Sequence, residues 1–422
     1  MPTDLVHALL VLGLFVVPVL LRRLAIPSAV TSLGLGIGAG AMGWLENDPT
    51  VSLLSTFGIV ALFLSAGLHV SSAELKANAV RILAYLAVTT ALVGGAAWGL
   101  ISYFALPERA AWLVALAALI PSTGFILDSM SGFRLEEPER DLTRAFGVAA
   151  EFVGLGALFF VTQSISSTQL GIASLALVGL VVAVPLILKG FASWVTTHAP
   201  QTEFAFLLVL GFVCAYVTRQ LGVYYLVGAF LVGVAAKRFR EQLPALSSER
   251  ILNGLEDFGR LFAPFYFFHA GQDIDFRGMT LPIVGVAAGL ALVLLPIRIA
   301  TAWGPVRARR VEASPRGAPI GVALLPTLVF ALVLIDIVRE RFPVDETILN
   351  VLVIYTLVAT LVPGFALRAP KRAPAAAASG TGEVPLAAGA TPAGGSAAVR
   401  LPDGPAEPVA GQTGSSPAQV DG

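Results

Sequence analysis

ALIPSTGFIL at residues 118–127 and ALLPTLVFAL at residues 323–332 are two versions of one segment. Five of the ten positions are identical, and each version sets a proline followed by a hydroxyl side chain inside an apolar run. Pro121 and Pro326 each remove a backbone donor and crowd the preceding turn, so a helix running through either is broken there. At membrane depth the freed backbone groups must line a cavity or meet protein partners. Ser122, Thr123 and Thr327 place hydroxyl oxygens beside the breaks. One such segment reads as a kinked helix with Ser/Thr back-bonding to the chain. Two in matched positions read as half-helices that cross at a binding site.

Two weaker matches run in the same order. SAGL at 65–68 aligns with HAGQ at 269–272, and LAIPSAVTSLGLG at 24–36 aligns with LGVYYLVGAFLVG at 221–233. The three offsets are 205, 204 and 197 residues. Chance similarity between apolar segments is one reading of them; the other, taken here as the expectation, is a six-helix unit used twice, joined by a single linking span. An odd linker inverts the second copy, and inverted repeats with paired broken helices mark secondary transporters.

Composition places this unit in a bilayer. The chain has 422 residues, 56% hydrophobic and only 13% charged, where soluble domains are about half apolar and about a quarter charged. A membrane helix takes about 20 apolar residues. Thirteen candidate spans follow, at about 5–21, 28–45, 51–70, 80–106, 110–131, 143–163, 169–190, 203–219, 223–236, 255–271, 279–305, 317–338 and 346–367. The fold class is therefore an all-α polytopic membrane protein of about thirteen helices, in two inverted six-helix repeats with crossing broken helices. The first span follows Asp4 and has no small-x-small cleavage site, which reads as a retained helix.

Charge sets the orientation. Odd-numbered loops and the C-terminal flank hold 19 Lys and Arg residues, and even-numbered loops hold 5. Positive residues concentrate on the cytoplasmic side, so the N-terminus is predicted outside and the C-terminus in the cytoplasm. The Ala/Pro/Gly-rich stretch 369–422 has no aromatic residue and is expected to be a disordered cytoplasmic tail, leaving 1–368 as the transmembrane domain. Net charge is zero, which excludes a nucleic-acid binder recognised by bulk charge. A single cysteine, Cys214, excludes an intrachain disulfide and cysteine-rich metal sites. His7, His69, His198 and His269 form no metal pair. With no metal motif and no paired-aspartate motif, neither an enzyme nor a cofactor is implied.

Two charges stand in the wrong solvent. Glu151, in RAFGVAAEFVGLGALFF, and Arg298, in LALVLLPIRIATAWG, each lie about eight residues from a cytoplasmic span end, or roughly 12 Å deep. Each needs a partner there, and equal depth makes them candidates for one another. A neutral structural carboxyl and a snorkelling arginine are the alternatives. Asp128 and Asp336 end the broken spans and read as solvated caps. Glu256, Asp257 and Arg260 read as a local charge network, and His69 and His269 as satisfied helix-end histidines.

These residues resemble the membrane domain of the sodium/hydrogen exchanger family, in its bacterial monovalent cation:proton antiporter-2 branch. The resemblance covers about residues 5–368. It rests on LRRLAIPSAVTSLGLGIGAG, GIVALFLSAGLHVSSAELK, LGVYYLVGAFLVGVAAKR, LFAPFYFFHAGQDIDF and GVALLPTLVFALVL in this order. It implies a dimerisation domain from spans 1–3 and 8–10, a mobile core from spans 4–6 and 11–13, and a homodimer in the bacterial inner membrane. It puts the ion-binding carboxylate at Glu151, its basic companion at Arg298, and the crossing at Pro121, Ser122, Thr123, Pro326 and Thr327. Ala150 stands where the family carries a polar partner. One carboxylate with an arginine implies one proton exchanged for one monovalent cation, sodium or potassium, and no metal beyond that cargo. A transporter-like sensor without transport, and an organic-anion transporter of the same architecture, are the rival readings.

Overall fold

The computed structural model describes residues 3–21, 26–45, 48–70, 72–130, 132–164, 166–194, 202–221, 225–242, 249–274, 278–307 and 315–367. The chain divides into two units, Met1–Pro370 and Lys371–Gly422. The second unit, and with it the expected tail at 369–422, lies outside the described residues.

The described residues form sixteen helices: α1 (Thr3–Leu21), α2 (Ser28–Ala41), α3 (Pro49–Leu68), α4 (Ser72–Ala77), α5 (Ala79–Phe104), α6 (Glu108–Leu119), α7 (Thr123–Met130), α8 (Glu137–Gln163), α9 (Ser167–Trp194), α10 (Glu203–Gln220), α11 (Tyr225–Gln242), α12 (Glu249–Gln272), α13 (Leu281–Arg307), α14 (Gly317–Ala323), α15 (Leu328–Arg341) and α16 (Glu346–Ala366). The fifth and twelfth predicted spans are each two half-helices, α6 with α7 and α14 with α15. Ile120 takes an extended conformation, φ −80° and ψ 124°, as a residue before proline must. At the second break the two halves diverge by 44°.

Among the described residues, eight spans are long and apolar enough to cross a membrane, and α14 with α15 makes a ninth. Length and composition alone thus support fewer crossings than thirteen. The apolar runs of α1 and α2 are short, while α11 carries Lys237, Arg238, Arg240 and Glu241 and α12 carries Glu256, Asp257 and Arg260.

The packing has the symmetry of the repeat. α2 packs on α12 as α11 packs on α3, α5 meets α6 as α13 meets α14, and α5 meets α8 as α13 meets α16. Exchanging the two copies maps each of these pairs onto the other. The α2–α3–α11–α12 crossing is closed by glycine. A Cβ on Gly36 would stand 2.0 Å from the Phe268 carbonyl oxygen and 3.0 Å from the Gly271 Cα. A Cβ on Gly233 would stand 2.2 Å from the Leu64 carbonyl oxygen and 2.9 Å from the Gly67 Cα. Gly36 and Gly233 are mates at the 197-residue offset, and Gly67 and Gly271 at the 204-residue offset, so one backbone-to-backbone contact is made twice.

The broken helices lie inside. From Ala110 to Thr123, Trp112 is the one residue that is not buried, and α6 packs on α15. α5, α9 and α13 are the most exposed of the apolar spans, as helices bordering lipid should be.

Candidate ion site

Three charged side chains are nine-tenths buried among the described residues: Glu139, Glu151 and Arg298. Glu151, 1% exposed, lies in the middle of α8. Its carboxylate accepts a hydrogen bond from the Thr123 backbone N–H at 3.2 Å. Thr123 opens α7, and the first N–H groups of a helix have no partner within it and carry its positive dipole end. The proline break creates that end and the carboxylate caps it. Gly147, one turn earlier on the same face of α8, permits the approach: a Cβ there would lie 3.3 Å from the Thr123 hydroxyl.

Every freed backbone group named here finds a partner, as burial demands. The Ser122 N–H donates to the Pro326 carbonyl at 2.8 Å, so the two breaks touch. The side-chain oxygens differ. Ser122 Oγ, Thr123 Oγ1 and Thr327 Oγ1 are buried and bond to no described residue. The crossing therefore holds one carboxylate and three uncommitted hydroxyl oxygens. Ala150 is fully buried among Ile126, Phe146 and Ala149 and adds no polar atom.

Arg298 does not pair with Glu151. Its Nη1 donates to the Leu325 carbonyl at 2.8 Å and to the Tyr355 hydroxyl at 3.3 Å, and its Nη2 to the Leu324 carbonyl at 3.0 Å. The expected pairing is corrected, and the reason is physical. The break ends α14 with unsatisfied carbonyls at a negative dipole end, and these draw the guanidinium. Equal depth along two helix axes says nothing about which way each side chain points.

Tyr355, fully buried on α16, was not singled out by the sequence. Its hydroxyl also donates to the Ala118 carbonyl at the end of α6, at 3.1 Å. In LNVLVIYTLVATL it reads as one more apolar-span residue. Arg260 joins Glu256 at 3.4 Å and Asp257 at 3.7 Å, the expected local network. It also reaches Asp128 at 3.8 Å, so Asp128 is an ion-pair partner linking α7 to α12 and not simply a solvated cap. His69 is satisfied at its helix end by the Ser65 carbonyl at 2.8 Å. No group of three His, Cys, Asp or Glu residues among the described residues could hold a resident metal.

Two related halves that meet at crossed, broken helices around a buried carboxylate define a secondary-transporter fold. The chain belongs to the sodium/hydrogen exchanger transmembrane family, which it matches over residues 10–372. It is similar to the Na(+)/H(+)-K(+) antiporter GerN of Bacillus cereus, 23% identical over 296 residues, 67% of this chain and 74% of that protein. The Na(+)/H(+) antiporter NhaS5 of Synechocystis is 24% identical over 84% of this chain, which spans 53% of that longer protein. The probable Na(+)/H(+) antiporter 3 of Methanocaldococcus jannaschii is 25% identical over 83% of this chain and 92% of its own length. In fold, the chain resembles the sodium proton antiporter MjNhaP1 of the same archaeon, with a TM-score of 0.60 at 15% identity over 86% of this chain and 97% of that one.

Proposed function

We propose that this multi-pass membrane protein exchanges a monovalent cation for a proton by alternating access. The observation that carries the reading is the Glu151 carboxylate, bound to the N-terminus of α7 beside the free hydroxyls of Ser122, Thr123 and Thr327. Hydroxyl and carboxylate oxygens suit a hard cation, and a single carboxylate binds either that cation or one proton. Both forms neutralise the site, and an ionised carboxylate is costly to carry across an apolar barrier. The exchange is therefore electroneutral, one for one. The empty, ionised form rests on the Thr123 N–H and the helix dipole, and Arg298 acts on the broken-helix ends instead of on the carboxylate. The guanidinium's two terminal nitrogens are already taken by backbone and Tyr355, which leaves an organic anion without the arginine that would have favoured it.

In this reading the protein is a homodimer of the bacterial inner membrane, with its N-terminus outside and its C-terminus in the cytoplasm. The relatives' names support sodium or potassium as the cation, and the 19-to-5 division of basic residues supports the orientation. The test is a pH dye sealed in proteoliposomes, with sodium, potassium and lithium added outside in turn. Wild type should move protons against one or more of them. Glu151→Gln, a fixed mimic of the protonated site, should fold and lose the flux, and Glu151→Asp should keep part of it. Coupled flux unchanged in Glu151→Gln would remove Glu151 as the carrier.

A further inference from the structure

Glu139 is the buried charge that the exchange cycle above does not use. Its side chain is 1% exposed, and its carboxylate accepts four hydrogen bonds. Oε1 takes the Arg316 backbone N–H at 3.1 Å and Nε at 2.8 Å, while Oε2 takes Arg316 Nη2 at 3.2 Å and the Glu136 N–H at 3.0 Å. Arg316 is the residue that caps the start of α14. Glu136 lies 3.6 Å from the same guanidinium and is exposed. A half-exposed surface pair would need none of this enclosure, and a fully bonded carboxylate has a single geometry.

The clamp joins two struts that run in register. Eight residues beyond Glu139 lies Gly147, and eight beyond Arg316 lies Leu324. A Cβ on Gly147 would stand 3.7 Å from Leu324 Cδ2. So α8 and α14 touch at their bases and again beside the crossing. One turn past Gly147 on α8 is Glu151. Just past the end of α14 are the carbonyls that hold Arg298. Twelve residues of helix, about 18 Å, separate the clamp from the ion carboxylate, and α8 has no internal proline after its first turn to absorb a shift.

We propose that Glu139, through Arg316, is a positioning residue for the exchange: the clamp fixes the axial register of α8 against α14 and so holds the Glu151 carboxylate at the Thr123 N–H. This rests on Glu151 being the carrier. The clamp acts on the proton–cation competition, because the Thr123 bond favours the ionised carboxylate that both ligands must find. No charged side chain among the described residues lies within ion-pair distance of Glu151, so that bond is what a register shift would alter.

The experiment measures cation-driven proton flux against pH and cation concentration in proteoliposomes, for wild type, Glu139→Gln, Arg316→Ala, Arg316→Lys and the Glu139→Gln/Arg316→Ala double variant. Folding is followed by size-exclusion chromatography. Loosening the Thr123 bond should move the pH of half-maximal flux alkaline by about half a unit, since losing a charged hydrogen bond outright is worth about one unit. The cation KM at fixed pH should rise about threefold in parallel, with the maximal rate at saturating cation largely kept. Arg316→Lys should restore part of the shift, and the double variant should shift no further than either single variant. A pH profile that stays in place while only yield or maximal rate falls overturns the proposal, as do shifts that add in the double variant. If Glu139→Gln fails to fold, the variants of the exposed Arg316 decide on the same readout. Flux absent from wild type, or kept in Glu151→Gln, counts against the exchange reading itself and is separate from these outcomes.

Discussion

Arg298 Nη1 lies 3.3 Å from the Tyr355 hydroxyl, which donates onward to the Ala118 carbonyl at 3.1 Å, so one chain of hydrogen bonds holds the C-terminal ends of both α14 and α6. Those ends carry partial negative charge, and the guanidinium stands between them. The positive end of α7 is left to Glu151. The crossing is thus balanced in two places, with a cation at the carbonyl ends and a carboxylate at an amide end.

Arg298→Ala should therefore weaken the fold before it alters the pH profile. The substitution leaves the Leu324 and Leu325 carbonyls unpaired in a buried site, for a cost of about 3 kcal/mol. Thermal unfolding in detergent, at one heating rate for all variants, should show a clearly lower midpoint for Ala and a smaller drop for Lys, which keeps the charge but not the fork. A midpoint equal to wild type in Arg298→Ala would mean that these contacts do not hold the helix ends.

Tyr355→Phe removes one hydroxyl and keeps the ring. It frees the Ala118 carbonyl and one guanidinium contact, and should cost about 1–2 kcal/mol. Because both residues belong to one chain of bonds, Arg298→Ala with Tyr355→Phe should lower the midpoint by less than the two separate drops combined. Full additivity would show that they act independently.

The breaks were legible because proline followed by hydroxyl residues inside an apolar run has a fixed physical meaning, and finding it twice gave the repeat. Glu151 was legible because a carboxyl amid AAEFVGLGAL has no water to reach. The contacts of Arg298 were not. Sequence yields depth along a helix axis, while pairing depends on the direction of the side chain around that axis. The carbonyls at the end of α14 become acceptors only once the helix has broken. Glu139 was hidden for a related reason: in LEEPERDL it looks like ordinary acidic decoration of a helix start, and only the fold brings Arg316 over it. Hydropathy, which set the span count, weighs each segment alone and cannot see that α2 packs on α12 and that α11 and α12 both pack on α3.

Asp48 supplies a prediction about acid. It caps α3, accepting from the Thr50 N–H at 2.8 Å and the Val51 N–H at 3.1 Å, and pairs with His7 at 3.0 Å. Burial pushes its carboxyl up, but the Val51 N–H, the His7 ring and the Thr50 N–H together outweigh burial and hold it below the ordinary 3.8. A lowered carboxyl stabilises the fold fully above its unfolded value and loses that contribution as pH falls through the folded one. Asp48→Ala should cost about 1 kcal/mol near neutral pH. The gap in unfolding midpoint between wild type and variant should narrow as pH is taken below about 4. A gap that widens with acid would reverse the assignment.

The last prediction concerns the glycine crossing. At Gly36 and at its repeat mate Gly233, an added Cβ would come within 2.0 Å and 2.2 Å of carbonyl oxygens on the facing helix. These obstacles are backbone atoms, which cannot rotate aside as a flexible side chain would. Either helix must move off its partner, and overpacking of this kind costs about 3 kcal/mol or more. Gly34 lies on the same helix as Gly36, and a Cβ there meets nothing within 4 Å. Alanine at Gly34 should even help slightly, by up to about 1 kcal/mol, because alanine is the better helix former. Gly36→Ala and Gly233→Ala should therefore fall well below wild type in unfolding midpoint and in yield from the membrane, while Gly34→Ala matches or exceeds it. The two clashing variants should resemble one another, since the repeat gives them the same contact. If Gly36→Ala were tolerated as well as Gly34→Ala, α2 and α12 would not approach backbone to backbone, and the twofold match of Gly36–Gly271 with Gly233–Gly67 would lose its structural basis.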